Sequence, residues 1–366
     1  MPDPRHVQLA KVLVHYSLNL KAGDRVLVQS PDLAAPLVRE VYREAVRVGA
    51  HIATDIRLDG LSEIFLREAS DEQLEYVSDL EKAKVDFYTA RLAIWADTNT
   101  QALSNVDPKK MARRQAAQRE LFKRMLAKDA SGESRWCGTL FPTQAHAQDA
   151  GMSLTDYEDF VYGAGLLNET DPIAAWRKVN AEQQKIADFL ELHDEIHIVA
   201  PDTNIRYHAA GRKWISCAGT ANFPDGEVFT GPIEDSVNGT VSFSYPGLYG
   251  GNMVEGIRLT FRDGKVVDAS ATRNEEFLFA MLDMDAGSRT LGEAAFGLNY
   301  NIQQFSKNTL FDEKIGGTMH MALGASIPES GGTNESGLHW DIVNSLREGK
   351  VYADGKLCYE GGKFLL

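Results

Sequence analysis

The apolar pattern of this 366-residue chain changes character near residue 195, and no single protein core accommodates both halves of it. Upstream, strand-like and helix-like segments alternate. Arg25–Gln29 is a short β-branched run closed by Ser30-Pro31-Asp32, Leu37–Val48 places apolar residues at helical spacing before Gly49, and His51–Leu58 is the next strand. That order predicts a βαβ unit with a parallel sheet. A third strand is expected within Asp86–Ile94, a solvated acidic helix over 70–82, and a long helix with a basic outer face over Met111–Ala127. Pro172–Leu192 reads as a further helix, with Asp171 as N-cap and Pro172 in the first turn, where a missing N–H costs nothing. It is expected to bridge two domains.

From Glu195 onward the runs become short and glycine-punctuated: Glu195–Val199, Asn204–His208, Val241–Tyr245, Ile257–Arg262 and Lys265–Ala271, with Asp263-Gly264 as a hairpin turn between the last two. The fold class is therefore an α/β N-terminal domain, residues 1–195 with its linker helix, plus a β-rich α+β C-terminal domain, residues 196–366. A length of 366 residues agrees with two hydrophobic cores.

Composition narrows the partners. A formal net charge of −14 argues against a protein that neutralises phosphates, so no nucleic acid is expected. No apolar run indicates a membrane partner. The start Met-Pro-Asp-Pro-Arg-His lacks the apolar segment of a secretory signal, which points to a cytoplasmic location. Cys137, Cys217 and Cys358 are odd in number and without a CxxC spacing, and read as small buried thiols.

The chemistry concentrates near the C-terminus. Glu227 lies in Phe223-Pro-Asp-Gly-Glu-Val-Phe-Thr, Glu293 in Thr290-Leu-Gly-Glu-Ala, His320 in Gly316-Gly-Thr-Met-His-Met-Ala-Leu-Gly, and His339 and Asp341 in Leu338-His-Trp-Asp-Ile. In a strand, residues i and i+2 face the same way, so His339 and Asp341 can enter one pocket while Trp340 packs behind them. Three carboxylates and two imidazoles suit two divalent ions of the Zn, Co, Mn or Fe class. The charge agrees: two ions carry +4, against three carboxylates and one hydroxide. A lone Glu beside the Pro224-Asp225-Gly226 turn would ordinarily be solvated, and Glu293 among small and apolar neighbours needs a partner, either a metal or Arg289. The polar stretch 329–337, between His320 and His339, is a loop placed to shape substrate access.

These segments, in this order, resemble the M29 family of metallo-aminopeptidases, the aminopeptidase T and aminopeptidase S group. The likeness extends to Phe141-Pro-Thr-Gln-Ala-His-Ala-Gln-Asp-Ala-Gly-Met152, Asp171-Pro-Ile-Ala-Ala-Trp176 and Asp354-Gly-Lys-Leu-Cys-Tyr-Glu-Gly-Gly-Lys363. The resemblance implies a two-domain subunit, a homodimer, short-peptide substrates, and a dinuclear site to which Glu227, Glu293, His320, His339 and Asp341 carry over as ligands. Glu227 and Glu293 are also the candidates for moving the proton during hydrolysis. In one place the chain departs: the family pattern has a tyrosine seven residues after the histidine of His-x-Ala-Leu-Gly, and here that residue is Ile327. Isoleucine donates no hydrogen bond to an oxyanion; Tyr245, Tyr249 and Tyr300 are the spatial substitutes to consider.

A rival reading takes His320, His339 and Asp341 alone as a 2-His-1-carboxylate set for mononuclear Fe(II). The M29-like scaffold is similar to that of 2,5-dihydroxypyridine ring-cleaving dioxygenases. Two other signals are set aside: His193-Asp-Glu-Ile-His197 has its Glu in the wrong place for a zincin, and Gly163-Ala-Gly165 lacks the strand and third glycine of a dinucleotide loop.

Overall fold

The computed structural model describes residues 3–366, which form two compact units. The first runs to Ile173 and includes Gly219–Phe223; the second comprises Ala174–Ala218 and Pro224–Leu366.

The first unit is built on the expected parallel sheet. Its strand order is His51–Arg57, Arg25–Pro31, Ala90–Trp95, Arg135–Leu140, Asn222–Phe223, with every pairing parallel. The helix joining the first two strands in sequence, Ala35–Val48, ends at Gly49, whose φ of 87° a glycine adopts without a Cβ clash. Two local readings are corrected. The third strand starts at Ala90 rather than Asp86, because residues 79–87 are helical. The single helix expected over 70–82 is two, Asp71–Glu75 and Asp79–Phe87, each opened by a capping box, Ser70 with Gln73 and Ser78 with Glu81. A second box starts a second helix, since its serine hydroxyl satisfies amides that a continuous helix would bond internally. The acidic surface stays solvated as expected, with Asp71 and Glu75 exposed while they pair with Arg113, and Glu81 pairing with Arg114, from the Pro108–Ala130 helix.

The second unit contains two large antiparallel sheets. One has eight strands, ordered Lys265–Ser270, Arg258–Arg262, Asn238–Ser242, Thr203–His208, Glu195–Ala200, Lys350–Ala353, Lys356–Glu360, Lys363–Phe364. The other has five: His339–Ser345, Thr318–Gly324, Leu291–Gly297, Glu227–Thr230, Ile215–Cys217. Asp263 and Gly264 both take positive φ, 47° and 77°, as a two-residue hairpin turn of the I′ type requires. The strand expected over Val241–Tyr245 runs from Asn238 to Ser242.

One core joins the two sheets. Ile196, Ile205, Leu259, Val351 and Tyr359 from the eight-stranded sheet share it with Val228, Phe296, Met321, Trp340 and Ile342 from the five-stranded one. Ala187 and Leu190 of the Pro172–Glu191 helix belong to the same core. The helix expected to close the first domain therefore packs as part of the second, and the boundary falls at Ile173/Ala174 rather than at 195. Its apolar face had no way of announcing which core it would complete. Among the described residues no helix is long and apolar enough to cross a membrane.

Phe296 ties the core together, with Trp214 stacked at 6.0 Å and the rings of Tyr359 and Phe364 at 5.9 and 5.2 Å. Truncating a fully buried aromatic costs about 3–5 kcal/mol. Phe296→Ala should lower the stability of the second unit by that amount in urea unfolding followed by tryptophan fluorescence; a loss below about 1 kcal/mol would show that the ring is not central to the core.

Candidate metal centre

The five-stranded sheet has an apolar face and a chemical face, and strand register decides which residue joins which. Directly paired residues share a face. Pairing of Ala322 with Asp341 and Gly324 with His339 places His320, His339 and Asp341 on one side. Trp340 and Ile342 point the other way, into the core. Glu227 pairs with Gly297 and with Cys217, and Gly297 in turn pairs with Thr318, which puts Glu227 and Cys217 on the His320 side.

Glu293 reaches that side only because the strand is irregular. Leu291 pairs with Leu323 but Glu293 pairs with Ala322, so Gly292 is the extra residue of a β-bulge. With regular alternation Leu291 and Glu293 would share a face. The bulge sends Leu291 into the core and Glu293 into the site. Gly292 is required there: a Cβ would stand 2.4 Å from the Ala325 carbonyl oxygen and 2.5 Å from that of Gly324. Between the ligand positions the strands carry Ala295, Gly297 and Ala322, small residues that leave room above the sheet.

The five sequence-read residues converge. His320 Nε2 lies 3.1 Å from Glu293 Oε1, 3.7 Å from Glu227 Oε2 and 4.0 Å from Asp341 Oδ1. His339 Nε2 lies 3.5 Å from both Glu293 Oε2 and Asp341 Oδ1. Each imidazole donates its Nδ1–H to a backbone carbonyl, His320 to Glu313 at 3.2 Å and His339 to Ala325 at 2.8 Å. A carbonyl only accepts, so both rings are fixed with Nε2 toward the carboxylates, the arrangement that second-sphere carbonyls impose on metal-binding histidines. Arg289, the bland partner considered for Glu293, instead pairs with Asp283.

Two residues that the sequence did not reveal complete the cluster. Glu313 and Lys314 follow the short Thr309–Asp312 helix on a segment that passes over Gly297, where a Cβ would meet the Ile315 carbonyl oxygen at 2.3 Å. Lys314 Nζ sits 2.9 Å from Glu227 Oε1 and 2.7 Å from Glu313 Oε2. Ligand atoms of Glu293, His339 and Asp341 lie within 4.8 Å of one another, as do those of Glu227, Glu313 and His320, and those of Cys217, Asp225 and Glu227. Glu227 Oε2 is buried and accepts no hydrogen bond. An orphaned carboxylate oxygen beside two oriented imidazoles and further carboxylates fits a divalent cation.

This geometry has counterparts in known proteins. The chain matches the family model described as thermophilic metalloprotease (M29) over residues 3–364. The chain belongs to the M29 family. It is 32% identical to aminopeptidase 2 of Geobacillus stearothermophilus, covering 95% of this chain and 94% of that one, and 29% identical to aminopeptidase T of Thermus thermophilus, covering 95% of each. The solved structure of wild-type AmpT from Thermus thermophilus superposes with a TM-score of 0.86 at 27% identity, covering 99% of both chains. As an M29 metallo-aminopeptidase the chain is a hydrolase that works with divalent metal. These relatives give no support to the ring-cleaving alternative. Its three-residue set is not isolated either, since Glu293 stands between the two imidazoles.

The 329–337 stretch of this M29 site is an anchored loop. Glu234 accepts from the Thr333 amide and hydroxyl, Asn334 donates to the carbonyls of Gly287 and Gly324, and Asp285 accepts from Gly337 N and Ser336 Oγ. The Gly337 amide, with Ser336 and Ser288, holds the Asp285 carboxyl down at about 2. Of the tyrosines considered in place of Ile327, Tyr249 packs on Trp340, behind the strand that presents His339, and Tyr300 donates its hydroxyl to the Gly362 carbonyl at 3.0 Å. Tyr245 stacks on Phe305.

Burial opposes charge on both histidines, but the carboxylates win. Glu293, Glu227 and Glu313 raise His320 to about 9, and Asp341 and Glu293 raise His339 to about 10. Asp341 is buried, yet the imidazoles and Lys314 hold its carboxyl far below the usual range. Burial raises Glu293 and Glu313. An imidazole must be neutral to ligate, so metal entering this cluster displaces protons and its affinity rises with pH through the neutral range. Zinc titration of the metal-free protein at pH 7 should release at least about two protons per chain, among them one from each histidine; a pH-stat trace with no release would mean that both rings are already neutral. His339→Ala and Asp341→Ala should each weaken zinc binding by roughly 10-fold or more with circular dichroism unchanged. Unaltered affinity in both would make the pair structural.

Proposed function

We propose that the chain is a dinuclear metallo-aminopeptidase that removes N-terminal residues from short peptides. The observation that carries this reading is the pair of imidazoles locked by backbone carbonyls with Nε2 turned to a shared group of carboxylates. Glu293, His339 and Asp341 would hold one ion and Glu227, Glu313 and His320 the other. Lys314 cancels the added charge of Glu313, so the balance that favours two ions over one is kept. Zn, Co and Mn suit this mixed oxygen and nitrogen set.

Bound divalent ions supply Lewis acidity toward a scissile carbonyl and lower the pKa of water. The chain's own groups supply the rest. Glu293 presents one oxygen to each imidazole, which places it between the two ligand groups. Its carboxyl, raised by burial, is suited to take a proton from the attacking water and pass it to the leaving amine. Glu227 is the second candidate for that transfer, through Oε2, which accepts no hydrogen bond while Lys314 holds Oε1. Ile327 leaves the oxyanion without the tyrosine donor of the family pattern: its side chain is aliphatic, and its carbonyl accepts from the Ser330 hydroxyl at 2.7 Å.

Elemental analysis after equilibration with zinc or cobalt should approach two ions per chain; saturation at one, with iron preferred, would sink the dinuclear reading. The loaded enzyme should cleave leucyl, alanyl or arginyl p-nitroanilides slowly and leave N-acetylated analogues intact. Oxyanion donors are worth roughly 10²–10³ in rate where they have been removed. Ile327→Tyr should recover part of that factor, raising kcat more than it changes KM. Fast wild-type turnover that falls in Ile327→Tyr would show that another group already stabilises the oxyanion.

A further inference from the structure

The two ligand groups are not equivalent, because only one of them has a lysine ammonium built into it. Lys314 is 1% exposed, and its ammonium group touches both Glu227 and Glu313, two of the three residues in the Glu227, Glu313, His320 group. Among the described residues, the Glu293, His339, Asp341 group has no lysine or arginine salt bridge. Lys314 is also fixed at its backbone, its N–H donating to the Phe311 carbonyl at 3.0 Å and its carbonyl accepting from Asn299 N–H at 2.9 Å. The ammonium is therefore a built-in component of the second group.

We infer that Lys314 is an internal counter-ion that holds the Glu227 and Glu313 carboxylates in place when no metal is bound, and that it makes their position the weaker and more exchangeable of the two metal sites. This rests on the dinuclear reading above. Two buried carboxylates without a partner would be strongly destabilising, and the ammonium supplies that partner. The same positive charge, a few ångströms from the cation's ligands, opposes the entry of a divalent ion. In the metal-free protein Lys314 maintains the fold around the site; in the loaded protein it lowers affinity at that position. The Glu293, His339, Asp341 position fills first.

The test is stepwise zinc binding, read by competition with a chromophoric chelator, together with thermal unfolding in EDTA and in excess zinc. Wild type should bind two ions with affinities at least about tenfold apart. Lys314→Met should lower the unfolding temperature in EDTA, regain most of it in zinc, and tighten the second binding step by about tenfold or more while changing the first by less. Lys314→Arg, which keeps the charge, should keep a weak second step. One ion in wild type but two in Lys314→Met would also support the proposal, with the lysine filling the second position. Two ions in wild type with a second step that is unchanged or weaker in Lys314→Met would overturn the proposal alone. One ion in both proteins would overturn the dinuclear reading and the proposal with it. A Lys314→Met chain that folds neither with nor without zinc would also overturn it, since the metals are expected to take over the lysine's charge.

Discussion

The centre depends on one electrostatic constraint: Glu227, Glu293 and Asp341 on one sheet face, and Glu313 on the segment that crosses it, are gathered where water is largely excluded. Ionised carboxylates at such a distance from solvent persist only with cations against them. In the metal-free protein that positive charge comes from Lys314 and from protons kept on His320 and His339. A divalent ion ligated by these imidazoles would replace the protons, since an imidazole must give up its charge to become a ligand. Metal affinity, proton release and local stability are thus three aspects of one charge balance.

The sheet meets that constraint with few deviations from regular geometry. Glu227, His320, His339 and Asp341 reach the site by ordinary strand alternation, and Glu293 by one bulge at Gly292. Ala295, Gly297 and Ala322 keep the floor low, and Gly297 lets the Glu313–Lys314 segment lie across it. The 329–337 loop, which leads into the His339 strand, is tied by hydrogen bonds to Glu234 and Asp285. Residues held by strands and a pinned loop are positioned before any ligand arrives, which spares the reaction the cost of ordering them.

Much of this was legible in the chain itself. The βαβ start, the switch to a β-rich second half and the Asp263-Gly264 turn follow from local periodicity and turn chemistry, which depend on near neighbours. His339 and Asp341 are legible for the same reason, since a spacing of two is a geometric statement once a strand is assumed. Glu227, Glu293 and His320 were found through their motifs rather than through any local rule. Glu313 and Lys314 carry no such mark: a Glu-Lys pair after a short helix is ordinarily a solvated surface feature, and only the path of the segment over Gly297 makes it part of the site. Over 70–82 the continuous charge pattern predicts one helix, but two serine capping boxes divide the segment into two.

By itself, then, the sequence determined the two kinds of domain, the residue types able to bind metal and the face on which the His-x-Asp pair lies. Tertiary structure alone decided that the 172–191 helix completes the second core, that Leu291 and Glu293 point to opposite faces, and that a buried lysine shares the site with the carboxylates. The physical reason is range. Alternation and capping act over two to four residues, whereas strand register, a bulge and the pairing of buried charges are set by segments distant along the chain and brought together only when the core closes.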